Sequence, residues 1–157
     1  MKVLIVSDSH GFTSMLREII SKENNCDAII HLGDGSSDIH AINDLTAYKP
    51  VYQIKGNCDI SSYNSSLRFI SYFDNFKFIA CHGHTYNVKN DLTALFYAAK
   101  EYECRFAFYG HTHITAYEES EDVILFNPGS VMNGRYGILQ TSGSSFTLQN
   151  LQIDKTR

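Results

Sequence analysis

Five short polar motifs follow one another along this chain: Asp8-Ser9-His10, Gly33-Asp34, Gly56-Asn57-Cys58-Asp59, His82-Gly83-His84 and Gly110-His111-Thr112-His113. They supply carboxylates, a carboxamide and imidazoles, the hard-to-borderline donors that suit divalent first-row metal ions better than a soft thiolate cluster would. The histidines carry the most weight, because four of the chain's 7 fall in the last two motifs. In extended backbone, alternate side chains point to one side, so the spacing predicts that Asp8 with His10, His82 with His84, and His111 with His113 each face a common space. Any one of these triplets, and Gly33-Asp34 or Gly56-Asn57 alone, reads equally well as a turn. A carboxylate such as Asp34 offers lone pairs on both oxygens and can serve two cations. Asn57 can ligate without adding negative charge. His31 and His40 fall outside the pattern and read as a strand-end and a helix-surface side chain.

The elements that must position these residues alternate in the first half of the chain. Strand-like runs at 2–7, 28–31 and 51–55 are separated by helical patterns at 13–22 and 38–48, which implies βαβ units and a largely parallel sheet. Thr13 or Ser14 is expected to cap the first helix, whose apolar stripe is Leu16, Ile19 and Ile20. Runs at 67–73 and 76–81 joined by Asp74-Asn75 read as a hairpin. Asn90 or Asp91 then caps a helix reaching about Glu103, followed by strands at 106–109, 114–117 and 123–126 and a hairpin of 136–140 with 145–153. The motifs sit just after the first, second, third, fifth and sixth strands. Ligands of open α/β sheets gather beyond the carboxyl ends of the strands, so all five should converge.

Composition bounds the rest. The 157 residues suit one domain spanning 1–157, and a net charge of -4 with no basic run argues against stable nucleic-acid or membrane-surface binding. Cys26, Cys58, Cys81 and Cys104 form no CxxC pair. With no signal-like apolar stretch, they are expected to be free thiols of a cytoplasmic protein. No run approaches the ~18 apolar residues of a membrane span. A homo-oligomer is compatible with all of this.

Taken together, the ordered motifs resemble the calcineurin-like metallophosphoesterases, most closely their small single-domain prokaryotic branch, the YfcE-like phosphodiesterases. The resemblance runs from Asp8 to about Arg135 and includes the turn Asn127-Pro128-Gly129-Ser130. It implies an α/β fold of two packed mixed β-sheets flanked by helices, a four-layer α/β/β/α sandwich. It also implies that Asp8, His10 and His113 bind one divalent ion, that Asn57, His82 and His111 bind a second, and that Asp34 bridges them. The ions are expected to be manganese first, with nickel, iron, zinc or cobalt as substitutes. Asp34, Asn57 and His82 are expected to serve catalysis directly, with Cys58, Asp59, His84 and Arg135 facing substrate or supporting the ligands. Asp38, Tyr63 and Asn64 are expected at the rim.

The chemistry implied is hydrolysis of a phosphate-ester small molecule or nucleotide by in-line attack of a hydroxide held between two ions about 3.5–4 Å apart. Where larger phosphatases of the family carry a leaving-group histidine, this chain has Cys58, which shifts the expectation from monoesters toward diesters. Asp59 is expected to orient a ligand or cap its turn. Two alternatives stay open: a non-catalytic protein-binding scaffold on the same fold, as in relatives within a eukaryotic sorting complex, or a phosphomonoesterase or nuclease.

Overall fold

The computed structural model describes residues 1–60 and 65–154, so Tyr63 and Asn64 lie outside the described residues. One five-stranded sheet runs in the order β10 (Ser145–Gln152), β9 (Arg135–Ser142), β1 (Lys2–Val6), β2 (Ala28–His31), β3 (Val51–Gln53). The other runs β4 (Arg68–Phe73), β5 (Phe76–Cys81), β6 (Phe106–Phe108), β8 (Val123–Asn127), β7 (Ala116–Ser120). Within these sheets, β1, β2 and β3 are parallel neighbours, as are β5, β6 and β8. Their carboxyl ends therefore leave the sheets in company, and the polar motifs lie directly beyond those ends. The helices are α1 (Thr13–Lys22), α2 (Ser36–Ala41), α3 (Asn43–Thr46) and α4 (Thr93–Glu101).

Strand periodicity builds the layers. Val3 and Ile5 of β1 and Ile30 of β2 turn inward to meet Phe78 and Ala80 of β5, Phe106 and Phe108 of β6, and Phe126 of β8. Leu4, Val6 and Ile29 turn outward to Leu16, Ile19 and Ile20 of α1. On the far side Ile79, Cys81 and Ala107 pack with Leu95 and Ala99 of α4. Three apolar layers thus separate four layers of structure, and strands buried on both faces read as continuous apolar runs. Among the described residues no helix is long and apolar enough to cross a membrane. All four cysteines are free thiols, and only Cys58 is exposed.

Several element boundaries differ from the sequence pattern. The helix expected over 38–48 is two short helices, because the buried Ile42 leaves helical geometry with φ -113° and ψ 26° between them. Its start moves back to Ser36, where the capping carboxylate comes from Asp59, 23 residues away. Neither Thr13 nor Ser14 caps α1; Phe12 holds that position and Thr13 is already helical. Asp91 does accept the Thr93 N–H at 2.9 Å, but Leu92 is the boundary residue and the helix ends at Glu101. The strand expected at 114–117 begins at Ala116, since the preceding residues are drawn into the loop that carries His111 and His113.

The Phe78 ring lies at the centre of the inter-sheet layer, stacked on Phe73 at 4.5 Å between centroids and edge-on to Tyr52 at 5.8 Å. Phe78→Ala is expected to lower the unfolding free energy by about 3–5 kcal/mol in urea titrations, with far-UV circular dichroism unchanged. A loss under about 1 kcal/mol would place the core elsewhere.

Candidate metal centre

The motifs do not continue the strands in extended form. Of the nine non-glycine residues with positive φ among the described residues, five are Asp8 (54°), His10 (42°), Asp34 (57°), His111 (68°) and His113 (62°). Each such conformation costs roughly 1–2 kcal/mol, and strain of this kind collects where function over-determines the backbone. The alternation expected from spacing is therefore corrected. The backbone kinks at each of these side chains, and His111 and His113 part company to join different groups.

The first group is Asp8, His10 and His113, whose donor atoms lie within 4.8 Å of one another. Asp8 Oδ1 stands 3.1 Å from His113 Nε2 and 3.6 Å from His10 Nε2. The second group is Asp34, His82 and His111. His82 Nε2 stands 3.2 Å from Asp34 Oδ2, 3.2 Å from His111 Nδ1 and 3.0 Å from Asn57 Oδ1. Asp34 Oδ2 also lies 3.6 Å from His10 Nε2, so one oxygen faces both groups. The other oxygen, Oδ1, accepts the Cys58 N–H at 2.8 Å.

The donor set fits divalent cations. His82 Nδ1 lies 2.7 Å from the Leu32 carbonyl, an acceptor, so the ring donates there and its Nε2 presents a lone pair to the group. Nε2 then meets two acceptor oxygens, Asp34 Oδ2 and Asn57 Oδ1, and the His111 Nδ1, an arrangement that a proton or a cation standing between them satisfies. Asp8 Oδ1 is buried and without a hydrogen bond, although buried carboxylate oxygens are costly unless partnered. Burial opposes the charge of both His82 and Asp34, yet their mutual attraction prevails: His82 is raised, and Asp34, which also accepts the Cys58 N–H, is held well below the ordinary carboxylate range. His111 is lowered by burial and by the neighbouring positive charges of His82 and Lys89.

Residues without a place in either group hold the loops. The buried Asp59 carboxylate accepts backbone N–H groups from Asp34 (2.8 Å), Gly35 (3.0 Å), Ser36 (3.0 Å) and Gly56 (2.8 Å), plus the Ser36 hydroxyl, and so both caps α2 and fixes the Asp34 and Asn57 turns. These N–H groups outweigh its burial and lower its pKa. Asn127 donates to the Gly110 carbonyl, and the Ser130 hydroxyl donates to the Asp8 carbonyl, so this turn joins the first and last motifs. Glycine is required where backbones meet side chains: a Cβ on Gly56 would lie 2.0 Å from Asp34 Oδ1, and one on Gly110 1.9 Å from Ser7 Oγ.

The remaining expected residues separate. His84 sits beside the second group, its ring 5.4 Å from His82 and 6.1 Å from His111, with Nδ1 buried and unpartnered. Cys58 lies by Asp34 and His10, and partial burial with the Asp34 charge pushes its thiol up. Arg135 is not with the ligands; its guanidinium donates to Thr115 Oγ1 at 3.1 Å in a separate surface hollow. Asp38 is not a rim residue but 4% exposed. His40 is exposed, as expected. Ser7, Ser9, His31, Asn127 and Ser130 support the site; of these the sequence had singled out only Asn127 and Ser130, as part of a turn typical of the family branch and not as supports.

Comparison with known proteins gives the chain's family and fold. The family model of the calcineurin-like phosphoesterase superfamily domain matches residues 1–149. A probable metallophosphoesterase of Bacillus subtilis, YsnB, is 31% identical over 157 residues, covering 95% of this chain and 89% of that protein. A phosphodiesterase of Methanocaldococcus jannaschii is 32% identical over 155 residues, covering 88% of this chain and 89% of its own. The structure of Vacuolar Protein Sorting 29 from Cryptosporidium parvum superposes with a TM-score of 0.81 at 18% identity, covering 98% of this chain and 92% of that one, a likeness of fold. The chain belongs to the calcineurin-like phosphoesterase superfamily.

His31, read from sequence as an ordinary strand-end residue, is fully buried behind the site. The Gly33 N–H donates to its Nδ1 at 3.2 Å, so the proton sits on Nε2 against Ser9 Oγ at 3.1 Å. Burial pushes this imidazole down to about 4, whereas the unfolded ring titrates near 6.5. Between those values only the unfolded chain takes up the proton, so stability falls as pH is lowered, by about 3 kcal/mol in all. Urea unfolding of metal-free protein at pH 7 and pH 4.5 should show His31→Gln with a shallower loss than wild type; identical pH dependence would mean that His31 is not held neutral.

Proposed function

We propose that this member of the superfamily is a phosphoesterase that prefers phosphodiesters and works with two divalent cations, manganese first among them. Asp8, His10 and His113 would hold one, Asn57, His82 and His111 the other, with Asp34 Oδ2 shared. The observation that carries this reading is the convergence of Asp8 Oδ1, Asp34 Oδ2, Asn57 Oδ1 and His82 Nε2 in one place, with Asp8 Oδ1 buried and without a hydrogen bond. When bound, such cations supply Lewis acidity that polarises phosphoryl oxygens and acidifies a water for in-line attack.

The protein's own part is positioning. Leu32 fixes the His82 tautomer by accepting from Nδ1, as histidine ligands require of their surroundings. Asn57 contributes an oxygen but no charge, which limits repulsion of an anionic ester. His10 and His113 of the first group are partly exposed and Asn57 of the second is exposed while His82 is buried, so an ester meets both groups at these side chains rather than at His82. His84 is the side chain with an unpartnered nitrogen beside the second group, suited to contact substrate. A raised Cys58 thiol stays neutral and is no covalent nucleophile. Without an imidazole in its place, esters with good leaving groups are favoured, and the phosphodiesterase relative from Methanocaldococcus jannaschii supports the same preference.

With manganese supplied, wild type is expected to hydrolyse a bis-aryl phosphodiester faster than the matching aryl monoester. Asp34→Asn and His111→Ala should each lower diester turnover by about 10²–10³-fold or more with circular dichroism unchanged. Wild-type turnover in both variants would refute the assignment. No turnover in metal-loaded wild type on any phosphate ester would favour a protein-binding role on this fold instead.

A further inference from the structure

We propose that Asp38 is a positioning residue for one half of the centre, setting the Asp8-to-Gly11 loop through Ser9 and Gly11; this rests on the two-cation reading above. Asp38 belongs to α2, yet its carboxylate does not serve that helix. One oxygen, Oδ2, accepts from the Ser9 hydroxyl at 2.6 Å and from the Gly11 N–H at 2.9 Å. These two bonds bracket His10, which stands between them with a left-handed φ of 42°.

Having given its proton to Asp38, the Ser9 hydroxyl can only accept from His31 Nε2, and His31 Nδ1 accepts from Gly33. The chain of bonds therefore runs from α2 through the first motif and into the second. Asp38, Ser9 and His31 are all buried, and the space is filled: a Cβ on Gly35 would lie 1.9 Å from Ser9 Oγ and 2.8 Å from His31 Nε2. The loop cannot shift without breaking the buried Ser9 bonds to Asp38 and His31.

The two halves are held by different acids. Asp59 fixes the Asp34 and Asn57 turns and makes no bond to residues 8–11. His10 has its own N–H bonded to the Asp34 carbonyl at 3.0 Å, but its imidazole, partly exposed, depends on the neighbouring backbone for direction. Asp8 is held besides by the Ser130 hydroxyl at its carbonyl and by the His111 N–H at Oδ2 (3.0 Å), so removing Asp38 should loosen His10 above all and spare Asn57, His82 and His111.

The test is a manganese titration of metal-free wild type, Asp38→Ala, Asp38→Asn and Ser9→Ala, read by calorimetry and by electron paramagnetic resonance, with circular dichroism as the check on folding. Wild type should bind two ions and give the broadened signal of a coupled pair. In Asp38→Ala one site should weaken by about tenfold or more, leaving the six-line spectrum of an isolated ion, while the other site stays within about threefold. Asp38→Asn keeps an oxygen acceptor in the same place and should retain the coupled signal. Two ions bound to Asp38→Ala with wild-type affinity, or equal weakening of both sites, would overturn the inference. Should Asp38→Ala fail to fold, Ser9→Ala decides by the same two readouts. Wild type binding fewer than two ions would instead overturn the two-cation reading itself.

Discussion

A carboxylate oxygen buried without a hydrogen bond is among the most unfavourable groups a protein can contain, and Asp8 Oδ1 is one. Around it and its neighbour Asp34 Oδ2 stand imidazole nitrogens and a carboxamide oxygen. Two carboxylates held this close repel each other unless positive charge, on an imidazole or a cation, stands between them. The rest of the architecture serves to hold them in that unfavourable state: strained left-handed residues, N–H groups directed onto Asp59, and loops tied together by Asn127 and Ser130.

The sheets make that state tolerable. They bury a continuous aromatic and aliphatic layer between them, and each has a helix-covered outer face. Parallel neighbours send their carboxyl ends out together, so five loops reach one place although their residues are widely spread along the chain. Strain in those loops, of order 1–2 kcal/mol at each left-handed residue, can be borne when the sheets beneath are stabilised by burial of this extent.

Much of this was legible in the sequence. Asp8, His10, Asp34, Asn57, His82, His111 and His113 could be named from the resemblance that their ordered motifs carry, and the strands that precede them from their apolar runs. The parts that were not legible depend on contacts between distant segments. The α2 cap supplied by Asp59, the break at Ile42 and the retreat of Arg135 to Thr115 are tertiary facts, invisible to periodicity. Asp38 looked like a surface acid because nothing nearby announces a buried partner; that partner, Ser9, lies 29 residues back. Spacing alone also gave the wrong reason for convergence, since extended alternation was expected where the backbone is kinked.

The central claim, that lone pairs from five loops gather around two cations, is tested most directly by anomalous diffraction at the manganese edge from crystals grown with excess manganese. Two peaks are predicted, one among Asp8, His10, His113 and Asp34, the other among Asp34, Asn57, His82 and His111. A single peak, or none, with those side chains ordered as described, would contradict it.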